Sequence, residues 1–391
     1  VVGYIQYPSK DSAGFYYRSD FEGVDGAEKY FNEELKGTNG VKIVEVNALG
    51  KVQSHNIIQP PKEGDHIYLS IDSRIQSEMY TAMKDIAERV GFVGGAGVMI
   101  DTNTGEVIAM ASYPEFDPEV MSKKDDVKKV KSYLTSSSKP FLNRAVDGLY
   151  TPGSIIKPYM ALAALSEGVI DPERKILSTG SISIQNQYFP ELQTVFKDWK
   201  AHGLVDMRRA IAVSSDVYFY EVGGGYKDQK GLGIARIEKY MKQFGFGEKV
   251  ENSFFTGADG TVPNPEWKKK NFNGEAWNLG NTYHTSIGQY GFQVSVIQVA
   301  RAVASIVNNG LVRDPAILKD ESGKIVRQLD IPKADFAVIK EGMRMGVLQG
   351  TGVSLNVPYV EIATKSGTAE LGVAKDNVNS WMTGFFPYNK P

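Results

Sequence analysis

Read for where its apolar and polar positions fall, the chain divides into a short, strand-rich beginning and a longer stretch in which helices lie between two hairpins. Residues 1 to about 64 are punctuated by glycine and predict a short helix (AEKYFNEELKG), a strand (VKIVEV), a turn at NALGK and then VQSHNIIQ. Pro60 and Pro61, followed by KEGD, mark a linker. IYLSI is expected as a strand leading into a helix whose start has the form of a capping box, Ser73 with Gln76 three residues on. Ile75, Met79, Met83 and Ile86 then recur at helical spacing and predict a core-facing stripe.

GAGVMID, TNTG and EVIAMAS read as two strands joined by a tight turn in which Gly105 takes a positive φ. The charge run KKDDVKKVK within 118–135 reads as a solvated helix face or a mobile loop, with a partner contact as the lesser alternative. Amphipathic helices are expected around 156–168, 205–222, 294–307 and 335–348, and VEIATKSGTAE and VNSWMTGFF close the chain as strands. Hairpins at both ends with helices between them predict an α+β fold, not alternating βαβ units. No internal repeat or low-complexity tract is present.

Composition acts mainly by exclusion. At 391 residues the length suits two or three domains of roughly 100 to 200 residues each. Forty-four Lys and Arg against 46 Asp and Glu leave a formal charge of −2, so there is no basic excess to hold a nucleic acid. No apolar run approaches the ~18 residues of a membrane span. Cysteine is absent, which removes disulfides, thiolate metal sites and a cysteine nucleophile together. A histidine base would have to be His55, His66, His202 or His284.

The segment LYTPGSIIKPYMALAALSEGVI carries the first candidate chemistry. Pro158 cannot lie deep in a helix, so the helix starts near Ser154, and Ser154 and Lys157 project from one face. A nucleophile and an amine base thus meet where unpaired backbone N–H groups gather. Such a four-residue pattern is weak alone, since a serine at a helix start is usually a cap. Two more elements strengthen it: Ser214, Ser215 and Asp216 in AIAVSSDVYFY, and Lys365, Ser366, Gly367 and Thr368 in ATKSGTAE. Gly367, lacking a side chain, is expected to let a substrate backbone approach its strand. Burial and a second cation, Lys365, would both disfavour the ammonium form of Lys157 and suit it to act as a base. GxSxG, HExxH, Walker A and GxGxxG are all absent.

The ordered triplet SxxK, SxD, KSG is shared by serine β-lactamases and penicillin-binding proteins. Over nearly its whole length the chain resembles the class B penicillin-binding proteins, monofunctional peptidoglycan D,D-transpeptidases. Further resemblances are GVMIDTNTGEVIAMASYPEFDP, FKDWKAHGLVDMRRAIAVSSDVYFY, YHTSIGQYGFQVSVIQVARAVASIVNNG and GMRMGVLQGTG, and the DWK stretch is most similar to the elongation-type branch, penicillin-binding protein 2. The resemblance implies an antiparallel sheet flanked by helices over 65–391, preceded by a truncated pedestal or dimerisation-type segment over 1–64. It implies Ser154 as nucleophile, Lys157 as its base, Ser214 as proton relay, and Asp216 as the last member of the second motif. Lys365 would set the electrostatics around Ser214 and bind the substrate carboxylate with Ser366 and Thr368, beside Gly367. The backbone N–H groups of Ser154 and Thr368 would form the oxyanion hole.

No cofactor is implied. Some Gram-negative relatives hold zinc at positions matching Asp198 and His202 with a cysteine where this chain has Ser215; without that thiolate both residues are expected to be structural. Trp199 and Trp381 are expected to pack or to line the groove. Family members continue with a further strand and helix and begin with a membrane anchor, and both are expected to be missing here. The implied setting is the extracytoplasmic, periplasmic face of the cytoplasmic membrane. The implied partners are stem peptides ending in D-Ala-D-Ala with an amine acceptor, β-lactams, a SEDS-type glycosyltransferase and elongation-complex scaffold proteins. Alternative readings of the same motifs are a serine β-lactamase and a β-lactam sensor or non-catalytic scaffold of wall synthesis.

Overall fold

Two units are built from interleaved parts of the chain in the computed structural model, which describes residues 1–12, 14, 16–186, 189–252, 254–372 and 377–391. The first comprises Val1–Gly97, Ile108–Asn143 and Ile317–Glu321, and the second Val98–Val107, Arg144–Ala316 and Ser322–Pro391. Among the described residues no helix is long and apolar enough to cross a membrane.

In the first unit the predicted short helix is two turns, Gly26–Tyr30 and Asn32–Leu35, broken at the buried Phe31. The strands β1 (Val41–Val46) and β2 (Val52–Gln59) form the expected hairpin, and every residue of both is exposed. The helix α1 (Ser73–Val90) is capped one residue earlier than the sequence suggests. Asp72 accepts the N–H groups of Arg74 at 2.9 Å and Ile75 at 3.3 Å, as a carboxylate at the positive end of a helix does well. Gln76 is therefore no capping-box partner of Ser73; it donates to Met110 O at 2.9 Å and accepts Met110 N–H at 2.8 Å.

IYLSI is also not a strand: among the described residues its one pairing is a single bridge from Leu69 to Leu318. Met79 faces inward: a Cβ on Gly97 would stand 2.7 Å from its sulfur. Ile86, however, is 43% exposed, and Ala87 takes the buried place at that level of the helix. The hairpin of β3 (Gly95–Ile100) and β4 (Val107–Tyr113) is as expected, with Gly105 at φ +82°. The charge run is a solvated helix face, divided between Pro118–Lys123 and Val127–Thr135, which Asp117 and Asp126 cap.

The second unit is organised around α2 (Lys157–Ser166), whose residues from Lys157 to Ala164 are all buried. A helix with no polar face belongs in an interior. Its core is shared by Ile211 of α3 (Met207–Val213), Phe219 of α4 (Asp216–Gly224), Ala302 of α5 (Val296–Val307) and Ile339 of α6 (Lys333–Gln349). The buried Arg301 is tolerated because its guanidinium donates to Asp314 at 2.6 Å and to Gly245 O at 2.7 Å.

The closing strands β5 (Ala363–Leu371) and β6 (Asn377–Phe385) pair antiparallel, with Lys365 opposite Thr383 and Gly367 opposite Trp381. The α+β expectation holds, and among the described residues the strands pair as two-stranded ribbons. The edge of β5 away from β6 is taken up by other parts. A Cβ on Gly346 of α6 would stand 2.9 Å from Thr364 O, and one on Gly153 would stand 2.9 Å from Thr368 O.

Candidate active site

Ser154 lies on a 3₁₀ turn, Gly153–Ile156, that runs directly into α2. Pro158 is the second residue of the helix, where its missing N–H costs nothing. In a 3₁₀ turn residues three apart eclipse, so Ser154 and Lys157 leave on the same side, as their spacing predicts. The turn is pinned from two directions. Gly153 (φ +55°) donates its N–H to Gly288 O at 3.0 Å, and Gly367 of β5 lies so close that a Cβ there would stand 2.8 Å from Ile155 Cγ2 and 3.0 Å from Pro152 O. Gly367 is thus needed for the approach of the protein's own serine turn.

The single helix expected over 205–222 is two helices, because Ser214 adopts a left-handed conformation (φ +59°) at the end of α3 and Ser215 caps α4. This break turns Ser214 into the core of the site. Lys157 Nζ, with none of its side chain exposed, donates to Asp216 Oδ1 at 2.6 Å, Ser214 O at 2.8 Å and Ser214 Oγ at 3.3 Å. Those three acceptors match the three hydrogens of an ammonium group. From the opposite side Lys365 Nζ reaches Ser214 Oγ at 2.8 Å and Ser366 O at 2.7 Å. Burial, and next the charge of Lys157, hold the Lys365 pKa well below the ordinary lysine value, against an opposing pull from Asp216.

The structure therefore brings Lys157, Ser214, Asp216 and Lys365 into one network and sets Ser154, half-buried, on the adjoining turn. Among the described residues no hydrogen bond joins Ser154 Oγ to this network. Ser366 and Thr368 share the other face of β5, two residues apart. Trp381 donates its indole N–H to Thr151 O at 3.0 Å, and Trp199 donates to Val213 O at 3.2 Å beside the second motif.

Asp198 has a larger part than its sequence setting suggests. Its fully buried carboxylate accepts from Ser215 Oγ at 2.8 Å, Val217 N–H at 3.0 Å and Ser178 Oγ at 3.2 Å, and so anchors the first turn of α4 behind Asp216. Burial alone would raise its pKa, but the hydrogen bonds to Val217, Asp216 and Ser215 and the charge of Lys157 hold it lowered. His202 Nε2 lies 3.5 Å from Asp198 Oδ1, and among the described residues no group of three or more His, Cys, Asp or Glu side chains gathers as metal ligands would. Sequence reasoning missed one further group, Thr351, whose Oγ1 accepts from Ser366 Oγ at 2.6 Å.

Known proteins match the chain over nearly its whole length. Residues 95–391 match the penicillin binding protein transpeptidase domain and residues 1–69 the penicillin-binding protein dimerisation domain. The chain is 33% identical over 389 residues to the peptidoglycan D,D-transpeptidase MrdA of Acinetobacter baumannii, covering 95% of this chain and 55% of that one. It is 31% identical over 395 residues to MrdA of Escherichia coli K12, covering 94% and 59%. A solved complex between penicillin-binding protein PBP2 and MreC from Helicobacter pylori superposes with a TM-score of 0.79 at 29% identity, covering all of this chain and 71% of that one. The chain thus spans a little over half the length of the curated relatives it matches.

Proposed function

Because the chain belongs to the penicillin-binding protein transpeptidase family, we propose that it is a peptidoglycan D,D-transpeptidase that cross-links stem peptides through an acyl-enzyme on Ser154. The observation that carries this reading is Ser214 Oγ held between two buried lysines, 3.3 Å from Lys157 Nζ and 2.8 Å from Lys365 Nζ, beside the serine turn. Ser154 Oγ attacks the carbonyl carbon of the penultimate D-alanine. Its proton passes to Lys157 as Lys157 gives one to Ser214 Oγ and Ser214 gives its own to Lys365. The net transfer is one proton from Ser154 to Lys365, whose ammonium form is disfavoured by burial and by the charge of Lys157.

Charge develops on the carbonyl oxygen during attack. In a strand the N–H and C=O of one residue leave by the same edge, and Thr368 O lies on the edge that faces Gly153. Thr368 N–H therefore leaves beside Ser154, which supports the pair of backbone N–H groups of Ser154 and Thr368 as an oxyanion hole. Collapse of the intermediate breaks the C–N bond, and the departing D-alanine amine takes up a proton returned through Ser214. Lys365, once protonated, attracts the substrate carboxylate. An acceptor amine then attacks the acyl-enzyme with the proton transfers reversed.

Residues 1 to about 64 are, in this reading, a docking segment for wall-elongation partners, and 65–391 the catalytic part. The dimerisation-domain match and the MreC complex of a relative support partners of that scaffold class; in this reading a SEDS-type glycosyltransferase works beside them at the periplasmic face of the cytoplasmic membrane. Intact-mass spectrometry after incubation with a penicillin, with mapping of the modified peptide, tests the core of the proposal. One penicilloyl group on Ser154, lost in Ser154→Ala, is expected; a label on Ser214 or Ser366 would refute the assignment.

A further inference from the structure

The turn after α6 reads Gly350, Thr351, Gly352, and it is wedged between the elements that carry the second and third motifs. Thr351 N–H donates to Ala212 O at 3.1 Å, two residues before Ser214. On the other side its hydroxyl accepts from Ser366 Oγ at 2.6 Å. Both flanking glycines are required by space: a Cβ on Gly350 would stand 2.1 Å from Ala212 O, and one on Gly352 would stand 2.4 Å from Thr364 Cγ2. The backbone around Thr351 is therefore fixed, while Thr351 itself is exposed.

Two hydroxyls in contact own two hydrogens and use one between them, so one O–H is always left to give outward. When an anion arrives both can turn toward it. Lys365 Nζ lies just beneath, on Ser366 O at 2.7 Å. Two O–H donors beside a lysine suit a planar anion with two acceptor oxygens.

We propose that Thr351 is a substrate-binding residue which, with Ser366, forms a two-hydroxyl clamp for the carboxylate at the end of the acyl donor. The clamp rests on the transpeptidase reading and deepens it, since the carboxylate of the terminal D-alanine and that of a β-lactam would occupy the same place. It also explains why a threonine on a separate loop is held against β5 by two glycines that admit no side chain.

The test compares the second-order acylation rates of benzylpenicillin and its methyl ester on the wild type, Thr351→Val and Thr351→Ser, with a melting curve for each. Valine keeps the shape and removes the donor. The acid should then react about tenfold more slowly with Thr351→Val while the ester rate is unchanged, and serine should restore the preference for the acid. Equal slowing of acid and ester would show that Thr351 only supports the fold, and an unchanged ratio would show that it takes no part; either overturns the clamp. Absence of any penicilloyl adduct on wild-type Ser154 would instead refute the functional reading on which the clamp rests.

Discussion

Lys157 and Lys365 reach one hydroxyl, Ser214 Oγ, from two different regions, the start of a buried helix and the middle of a strand. Both are almost completely buried, yet their surroundings differ in one respect. Lys157 has a carboxylate, Asp216, at 2.6 Å, whereas among the described residues Lys365 Nζ donates to a hydroxyl and a backbone carbonyl and to no carboxylate. Among the described residues the carboxylate that hydrogen-bonds to either amine is Asp216, and it is placed on the helix side. Burying a second, unpaired ammonium would be costly, so the strand lysine is the one pushed toward neutrality. The asymmetry gives the site a direction: a proton leaving Ser154 has an acceptor at the far end of the chain of groups.

The severest way to break this comparison is to remove the ability of either lysine to lose a proton while keeping its charge. Guanidinium does not deprotonate in proteins, so Lys365→Arg and Lys157→Arg should each lower the acylation rate by about 10³-fold, close to the effect of alanine. Stopped-flow or mass-based acylation rates check this. Substantial activity in Lys365→Arg would mean that the strand lysine acts only as a fixed cation.

Removing the group between the lysines is the next step down. Ser214→Ala leaves the Lys157–Asp216 pair in place but breaks the relay, and acylation should fall by about 10²-fold. A loss under about threefold would show that the proton reaches Lys365, or leaves, by another route. Gly367→Ala probes the packing that aligns the two regions. Its Cβ would stand 2.8 Å from Ile155 Cγ2, so the strand or the serine turn has to shift, and acylation should drop about tenfold with a lower melting temperature. The smallest effect is expected in the other unit: Ile43→Ser, on a strand exposed throughout, should leave acylation within about twofold.

These contrasts also show what could be read from the sequence. The serine turn, the SSD segment and the KSG strand were legible because each depends on local rules: proline near a helix start, spacing along one turn, alternation along a strand. The break at Ser214 was not, since apolar residues continue through 205–222 and the side-chain partners of Ser214, Lys157 and Lys365, come from distant parts of the chain. Thr351 escaped for the same reason, as its partner Ser366 lies 15 residues away. The cap of α1 was misplaced by one position because Asp72 and Ser73 are both good capping residues, and a charged oxygen prevailed. The packing of Gly367 against the serine turn was not legible either, because a sequence shows that space is needed and not what fills it.

The direct test of the two-lysine relay is the acylation rate of wild type and Asp216→Asn as a function of pH at matched ionic strength. Asp216 pulls the Lys365 pKa upward, so removing its charge lets that pKa fall further. Acylation needs Lys365 free to accept a proton, and activity is lost as pH falls through its folded value. The acidic limb of the profile should therefore move to lower pH in Asp216→Asn. A limb that stays in place or moves to higher pH would contradict the assignment of Lys365 as the final proton acceptor.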